Sequence, residues 1–329
     1  MKTRFAAGTA IALACAGLVA ASSSAQSGQD SYAGDRVRIE NFIGRIEVRT
    51  GGSDISVEIR NPGDAAEDPV ATGTRGGVEI DGRQSVRNLN CRTNDGNIRI
   101  GRWMSSRPIE DYPVLVITAP STIDFELTDS AFVGEAGDLG SLDLSMNSCG
   151  RFEAGAIAGQ AALRINGSGD VTVRDIGGDA DFSVNGSGDI RTGNVAGGAS
   201  IGINGSGDIR GGNVSGDTQI DINGSGDVEL ADIASLDIDV SGSGDIEVRS
   251  MRGAFNAGIA GSGDIAVRDG RAEPFEARIN GSGDIRFGGT AVNVTVRESG
   301  GGNIEIGEIE GEVDWRRNGR TVLRSGGAD

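Results

Sequence analysis

The stretch Ala180-Asp-Phe-Ser-Val-Asn-Gly-Ser-Gly-Asp-Ile190, followed by Ala199-Ser-Ile-Gly-Ile-Asn-Gly-Ser-Gly-Asp-Ile209, decides the fold. The second copy repeats the first at a distance of 19 residues. Asn-Gly-Ser-Gly-Asp recurs at 166–170, 185–189, 204–208, 223–227 and 280–284, with variants at 241–245 and 260–264. Its aspartates are Asp170, Asp189, Asp208, Asp227, Asp245, Asp264 and Asp284, spaced by 19, 19, 19, 18, 19 and 20 residues. A fixed period of this length is the mark of a solenoid. Apolar residues fall at every second position before the turn, as in Phe182 and Val184 or Ile201 and Ile203, and again just after the aspartate, as in Ile190 and Ile209. A period of two is the strand period. Helical repeats would not tolerate Gly-Ser-Gly in every copy. Each repeat leaves no room for a helical crossover, so equivalent strands stack in parallel. The expected fold is all-β, a single-stranded right-handed parallel β-helix of about 19 residues per rung. One rung cannot bury enough apolar surface to offset its ordering, so rungs depend on their neighbours.

Working outward, Ser141–Met146 with Cys149–Phe152 reads as an earlier rung. Ile123, Phe125, Leu127 and Val133 read as the rung before that, and 113–118 as one earlier still. Gly300–Ile306 is a degenerate copy, and the tail from Arg320 reads as polar and frayed. The expected organisation is a signal peptide at 1–25, a flexible N-terminus at 26–35, an irregular β region at 36–112, the regular β-helix at 113–310, and a C-terminal cap with a polar tail at 311–329. At about 4.8 Å per rung, twelve or thirteen rungs make a rod roughly 60 Å long.

Lys2 and Arg4, the apolar run Phe5–Ala21 and Ser23-Ser-Ala25 have the form of an export signal. A rival reading is lipidation of Cys15. No later segment is apolar enough for a membrane span. With 30 basic residues against 48 acidic ones the chain carries −18, and removal of Lys2 and Arg4 leaves 28 minus 48, about −20. That argues against nucleic acid as a partner. The absence of histidine excludes His-based catalysis and His metal sites.

The Gly-Ser-Gly-Asp rungs behind an export signal, and the strand Tyr112-Pro-Val-Leu-Val-Ile-Thr-Ala-Pro120 that leads into them, resemble the bacterial adhesin families that include the head domain of auto-transporter adhesins. The resemblance covers roughly residues 35–310. It implies a β-helix of the cell envelope that adheres or interacts rather than catalyses. No series of strands for an outer-membrane barrel follows residue 310.

Each motif has two readings. In the turn, glycines supply positive φ while Asn and Asp cap backbone groups. Alternatively the carboxylates from Asp170 to Asp284 form a cation ladder, although the spacing differs from the calcium-binding nonapeptide repeat. Strand alternation points these aspartates outward, where N–H groups of the Gly-Ser-Gly turn and arginines such as Arg191, Arg210 and Arg286 are the expected donors. Asn-x-Ser in the turn is not read as a glycosylation site, and Gly-Ser-Gly is not a phosphate loop. Arg151 with Cys149, and Arg102 with Trp103, are the distinct polar spots that break the repeat. Trp103 is read as packing against the edge of the core or capping the solenoid, with ligand stacking as the alternative. Counting rungs places Cys91 about three rungs, roughly 14 Å, from Cys149, so the two are expected to be unpaired. The expected function is an exported, non-enzymatic envelope protein, periplasmic, surface-bound or secreted. It would act as an adhesin or interaction module toward a protein or glycan ligand, with no cofactor. The alternatives are a structural scaffold or a carbohydrate-active β-helix enzyme.

Overall fold

Alternating apolar residues produce strands wherever the repeat places them. The computed structural model describes residues 30–87, 89–94, 97–101 and 106–325. The signal peptide, Cys15, Arg102 and Trp103 lie outside them. In chain order the strands are β1 (Asp30–Tyr32), β2 (Arg36–Glu40), β3 (Ile43–Thr50), β4 (Ile55–Arg60), β5 (Val70–Thr74), β6 (Gly77–Asp81), β7 (Asn90–Asn94), β8 (Asn97–Gly101), β9 (Arg107–Pro108), β10 (Val114–Ala119), β11 (Asp124–Ala136), β12 (Ser141–Ser148), β13 (Arg151–Ala154), β14 (Ala161–Gly167), β15 (Asp170–Val173), β16 (Ala180–Gly186), β17 (Ile190–Thr192), β18 (Ala199–Gly205), β19 (Ile209–Arg210), β20 (Val214–Gly224), β21 (Val228–Gly242), β22 (Ile246–Ile259), β23 (Ile265–Gly281), β24 (Ile285–Gly300), β25 (Ile304–Arg317) and β26 (Arg320–Ser325). A single 3-10 turn spans Ile109–Asp111. Among the described residues no helix is long and apolar enough to cross a membrane.

The architecture is a parallel β-solenoid. Its first face consists of the strands that precede each glycine turn, in the register Ile165, Val184, Ile203, Ile222, Val240, Ile259, Ile279. The second face consists of the strands that follow the turn, with Val171, Ile190, Ile209, Val228, Ile246, Ile265 and Ile285 aligned. The looser corner is more than a loop. Leu139, Ile157, Ile176, Val195, Val214, Ile233 and Met251 pair in succession and are buried, giving a narrow third side. All three columns point into one continuous core.

The rungs do not follow chain order at the N-terminal end. β2 pairs in parallel with both β6 and β11, and β3 pairs with both β10 and β11. Residues 36–50 are therefore inserted between the rung built from β6 and β10 and the rung built from β11. The strand at 114–119 lies two layers, not one, from residues 131–136. Val133 is a further correction. A register shift between Leu127 and Ser130, with Asp129 at φ 45°, turns Phe132 inward and Val133 outward.

Both ends close with antiparallel strands. β5 pairs with β6, β4 with β10, and β1 with β4. Asp30–Tyr32, within the stretch expected to be flexible, is thus a strand. At the other end β26 turns back on β25, so residues 320–325 are paired rather than frayed. The isoleucine column of the first face ends there in charge. Glu298 aligns with Ile279, and Arg317 aligns with Glu298. The Glu298 side chain is 3% exposed, ion-paired with Arg317, and accepts a hydrogen bond from Trp315 Nε1 at 3.1 Å.

Candidate functional site

The seven aspartates of the turn stack along one edge of the second face. From Asp189 onward their carboxylates are engaged from rung to rung. Asp189 Oδ1 accepts the backbone N–H of Asp208 at 3.1 Å, Asp208 that of Asp227 at 3.2 Å, and Asp227 that of Asp245 at 3.0 Å. Asp245 accepts from Asp264 at 2.8 Å, Asp264 from Asp284 at 2.8 Å, and Asp284 from Asn303 at 3.0 Å. The donors are thus the next aspartate's own N–H, not the Gly-Ser-Gly amides. The serine amides bond the preceding rung, as Ser206 N–H does to Gly186 O at 2.8 Å. Arginine donates to the second oxygen in three rungs, Arg191 to Asp189, Arg210 to Asp208 and Arg286 to Asp284, at 2.8–3.0 Å. The turn asparagines Asn166, Asn185 and Asn204 bond side chain to side chain instead of capping the backbone, Asn166 to Asn147, Asn185 to Asn166 and Asn204 to Asn185, at 2.9–3.2 Å. Among the described residues no group of three or more Cys, Asp or Glu is placed to hold a metal.

A second ladder at the third side escaped the sequence reading. Asp175 Oδ1 accepts the N–H of Asn194 at 2.7 Å, Asn194 Oδ1 that of Asn213 at 3.0 Å, and Asn213 Oδ1 that of Asp232 at 3.1 Å. The signal was present as Asp or Asn at an unbroken spacing of 19.

Cys91 and Cys149 form a disulfide, with Cα atoms 5.9 Å apart. The rung count failed because Cys91 is not in a rung. It lies on β7, in a separate antiparallel sheet of β7, β8 and β9 that folds back over the outside of the turns. There Ile98, Ile100, Ile109 and Tyr112 pack against Ile43, Ala131 and Cys149. Tyr112 Oη donates to Ile100 O at 3.0 Å. Ile43, Ala131 and Cys149 occupy the turn position that is an exposed serine in later rungs, such as Ser187 and Ser206. The change from serine to apolar residues marks where the hairpin sits. Arg151 is exposed, in line with Val133 and Asp170.

A lengthwise groove of about 1410 Å³ lies beside the first face, running from Arg36 to Asn256. Equivalent outward positions of successive rungs line it, including Asp143, Asp181, Ser200, Gln219 and Asp237. It is acidic. Both of its arginines are paired, Arg164 with Asp143 at 2.9 Å and Asp181 at 3.0 Å, and Arg36 with Asp124 at 3.8 Å. Its aromatic residue, Phe125, is buried in the core.

No curated protein and no solved structure matches the chain. A family profile described as "Putative auto-transporter adhesin, head GIN domain" matches residues 64–251 and 238–313, well over half of the 329 residues. With its glycine-turn rungs and stacked parallel faces, the chain belongs to this auto-transporter adhesin head family.

Proposed function

We propose that the chain works at the cell surface as an adhesion module that holds an extended, basic partner, a protein segment, along the groove of its first face. The observation that carries this reading is the groove's repetition. The same outward positions recur in rung after rung, so each rung offers a similar weak contact. Weak contacts on a rigid array add into useful avidity when the partner spans several of them. The sign of the groove selects the partner. Asp143, Asp181, Asp217 and Asp237 outnumber the available cations, since Arg164 is neutralised by two of its neighbours and Arg36 pairs with Asp124. A glycan is the weaker choice because sugar rings favour exposed aromatic faces, and the groove presents none among the described residues. An envelope scaffold without a ligand is the competing reading.

The test is binding of a set of extended lysine- and arginine-rich peptides, measured at two salt concentrations. Affinity should rise with peptide length and fall with salt. Ser200→Trp, which fills the groove, and Asp181→Lys should each weaken it. Equal binding by these variants would put the contact outside the groove and overturn this reading, and no binding by the parent chain would favour the scaffold.

A further inference from the structure

Among the described residues the exposed large apolar side chains are Val70, Val322 and Leu323. All three sit on the two strands that end the first face, β5 at one end of the solenoid and β26 at the other. We infer that these two edges join copies of the chain head to tail, β26 of one copy adding to β5 of the next, so that the first face continues from molecule to molecule.

Direction, length and charge all fit. β5 is antiparallel to β6, β26 is antiparallel to β25, and the first-face strands between them run parallel. β5 and β26 therefore point the same way. A copy displaced along the solenoid axis brings them together as a parallel pair without rotation. β5 has five residues and β26 six. In the register that sets Val70 beside Val322, Ala71 faces Leu323, and Asp68, two residues earlier, faces Arg320. Asp68 and Arg320 are both exposed. Edge strands are usually guarded by charge, proline or a bulge. β5 reads Val-Ala-Thr-Gly-Thr and carries none of these within it. The contact is heterologous, since the two ends are different surfaces, so it does not close and makes open chains. A row of adhesin heads would lengthen any contact surface they carry, although the joint needs no ligand.

Sedimentation velocity of the purified exported chain over a concentration series, with electron microscopy, tests this. Rods that lengthen end to end with concentration are expected. Val70→Lys and Val322→Lys should each retain the parent melting midpoint and weaken association at least about tenfold. An equimolar mixture of the two should form dimers and nothing longer, because one sound end of each remains. Asp68→Arg and Arg320→Asp should each weaken association, and the double variant should recover it. A parent chain that stays monomeric throughout overturns the inference. So does a Val70→Lys variant that assembles normally, which would mean a symmetric joint between two β26 edges, and so does a mixture that fails to dimerise.

Discussion

Gly207 is held to glycine by its neighbour, not by its own dihedral. A Cβ there would run into the carbonyl oxygen of Gly188 in the rung below and approach Val184 Cγ1 at 2.8 Å. Gly205, two residues earlier, is held for both reasons, by its φ of 153° and by the Gly186 carbonyl oxygen that a Cβ would meet. Gly207→Ala should therefore force two rungs apart and cost about 1–3 kcal/mol in urea melts. Ser206→Ala should cost less than about 0.5 kcal/mol, because that side chain is exposed and only its amide is used. The pentapeptide made the turn legible, and alternation made the outward aspartate legible. The acceptor's true partner was not, because a spacing of 19 does not say which amide of the next rung lies closest. That partner matters for metal. With an N–H on Oδ1 in six successive steps, the ladder has local compensation for its stacked charge, and we propose that calcium is dispensable. Melting midpoints in chelator and in millimolar calcium should agree within a few degrees. Unfolding in chelator would make the aspartates a metal array. Asp239 is the counterexample, where Arg278 only partly offsets its acidic neighbours. It aligns with Asp221, and burial first, then Asp221 and Asp237, hold its carboxyl above its ordinary value of 3.8. A raised carboxyl favours the folded state in its protonated form, so it weakens the fold as pH climbs through that raised value. Asp239→Asn should thus melt above the parent at pH 7, with the advantage gone at pH 3.

At the level of elements, the ends of the stack need different chemistry from its middle. An isoleucine column that simply stopped would leave an apolar, open edge. Here it ends in Glu298 and Arg317. The Glu298 carboxylate is buried while the Arg317 side chain is 47% exposed, so the pair is one-sided. Removing the cation strands the anion. Arg317→Ala should lower the urea midpoint, with hydrogen exchange in β25 and β26 rising first. Replacing both by isoleucine should recover most of the loss, because a buried ion pair is seldom better than well-packed apolar groups. Failure of the double variant to recover would mean that the charges, not the packing, set the end of the sheet. The periodicity could locate this column but not its terminus, since Glu298 reads in sequence as an ordinary strand charge next to Ser299. The hairpin of β7 and β8 was hidden for a related reason. Its strands look like one more irregular rung, and only the loss of the turn serine at Ile43, Ala131 and Cys149 betrays a cover on the outside.

For the whole molecule, membership in an auto-transporter adhesin family puts the chain outside the cytoplasm, where a disulfide such as Cys91–Cys149 persists. The C-terminal two thirds could be read rung by rung because each layer contacts only the layers next to it in sequence. The N-terminal third could not, because order in space and order in the chain diverge there. That divergence has a consequence for truncation. In a solenoid built strictly in order, trimming from the N-terminus peels off end layers, and a larger cut does more harm. In this chain residues 36–50 are an internal layer, held between β6 and β10 on one side and β11 on the other. Removing residues 30–50 leaves the outer layer with no partner in register, since β2 and β3 pair across the gap it would have to close. The covering hairpin also loses Ile43 from its packing. Removing residues 30–119 takes out the outer layer, the inserted layer and the hairpin together, and exposes only the edge of β11. The smaller deletion should therefore be the more damaging. Chains lacking 30–50 should aggregate and show rapid hydrogen exchange throughout 77–119, with Cys91 and Cys149 open to alkylation. Chains lacking 30–119 should stay soluble with exchange in β14 to β24 close to that of the full chain. If loss of 30–50 leaves 77–119 protected, the layer is not interleaved as described.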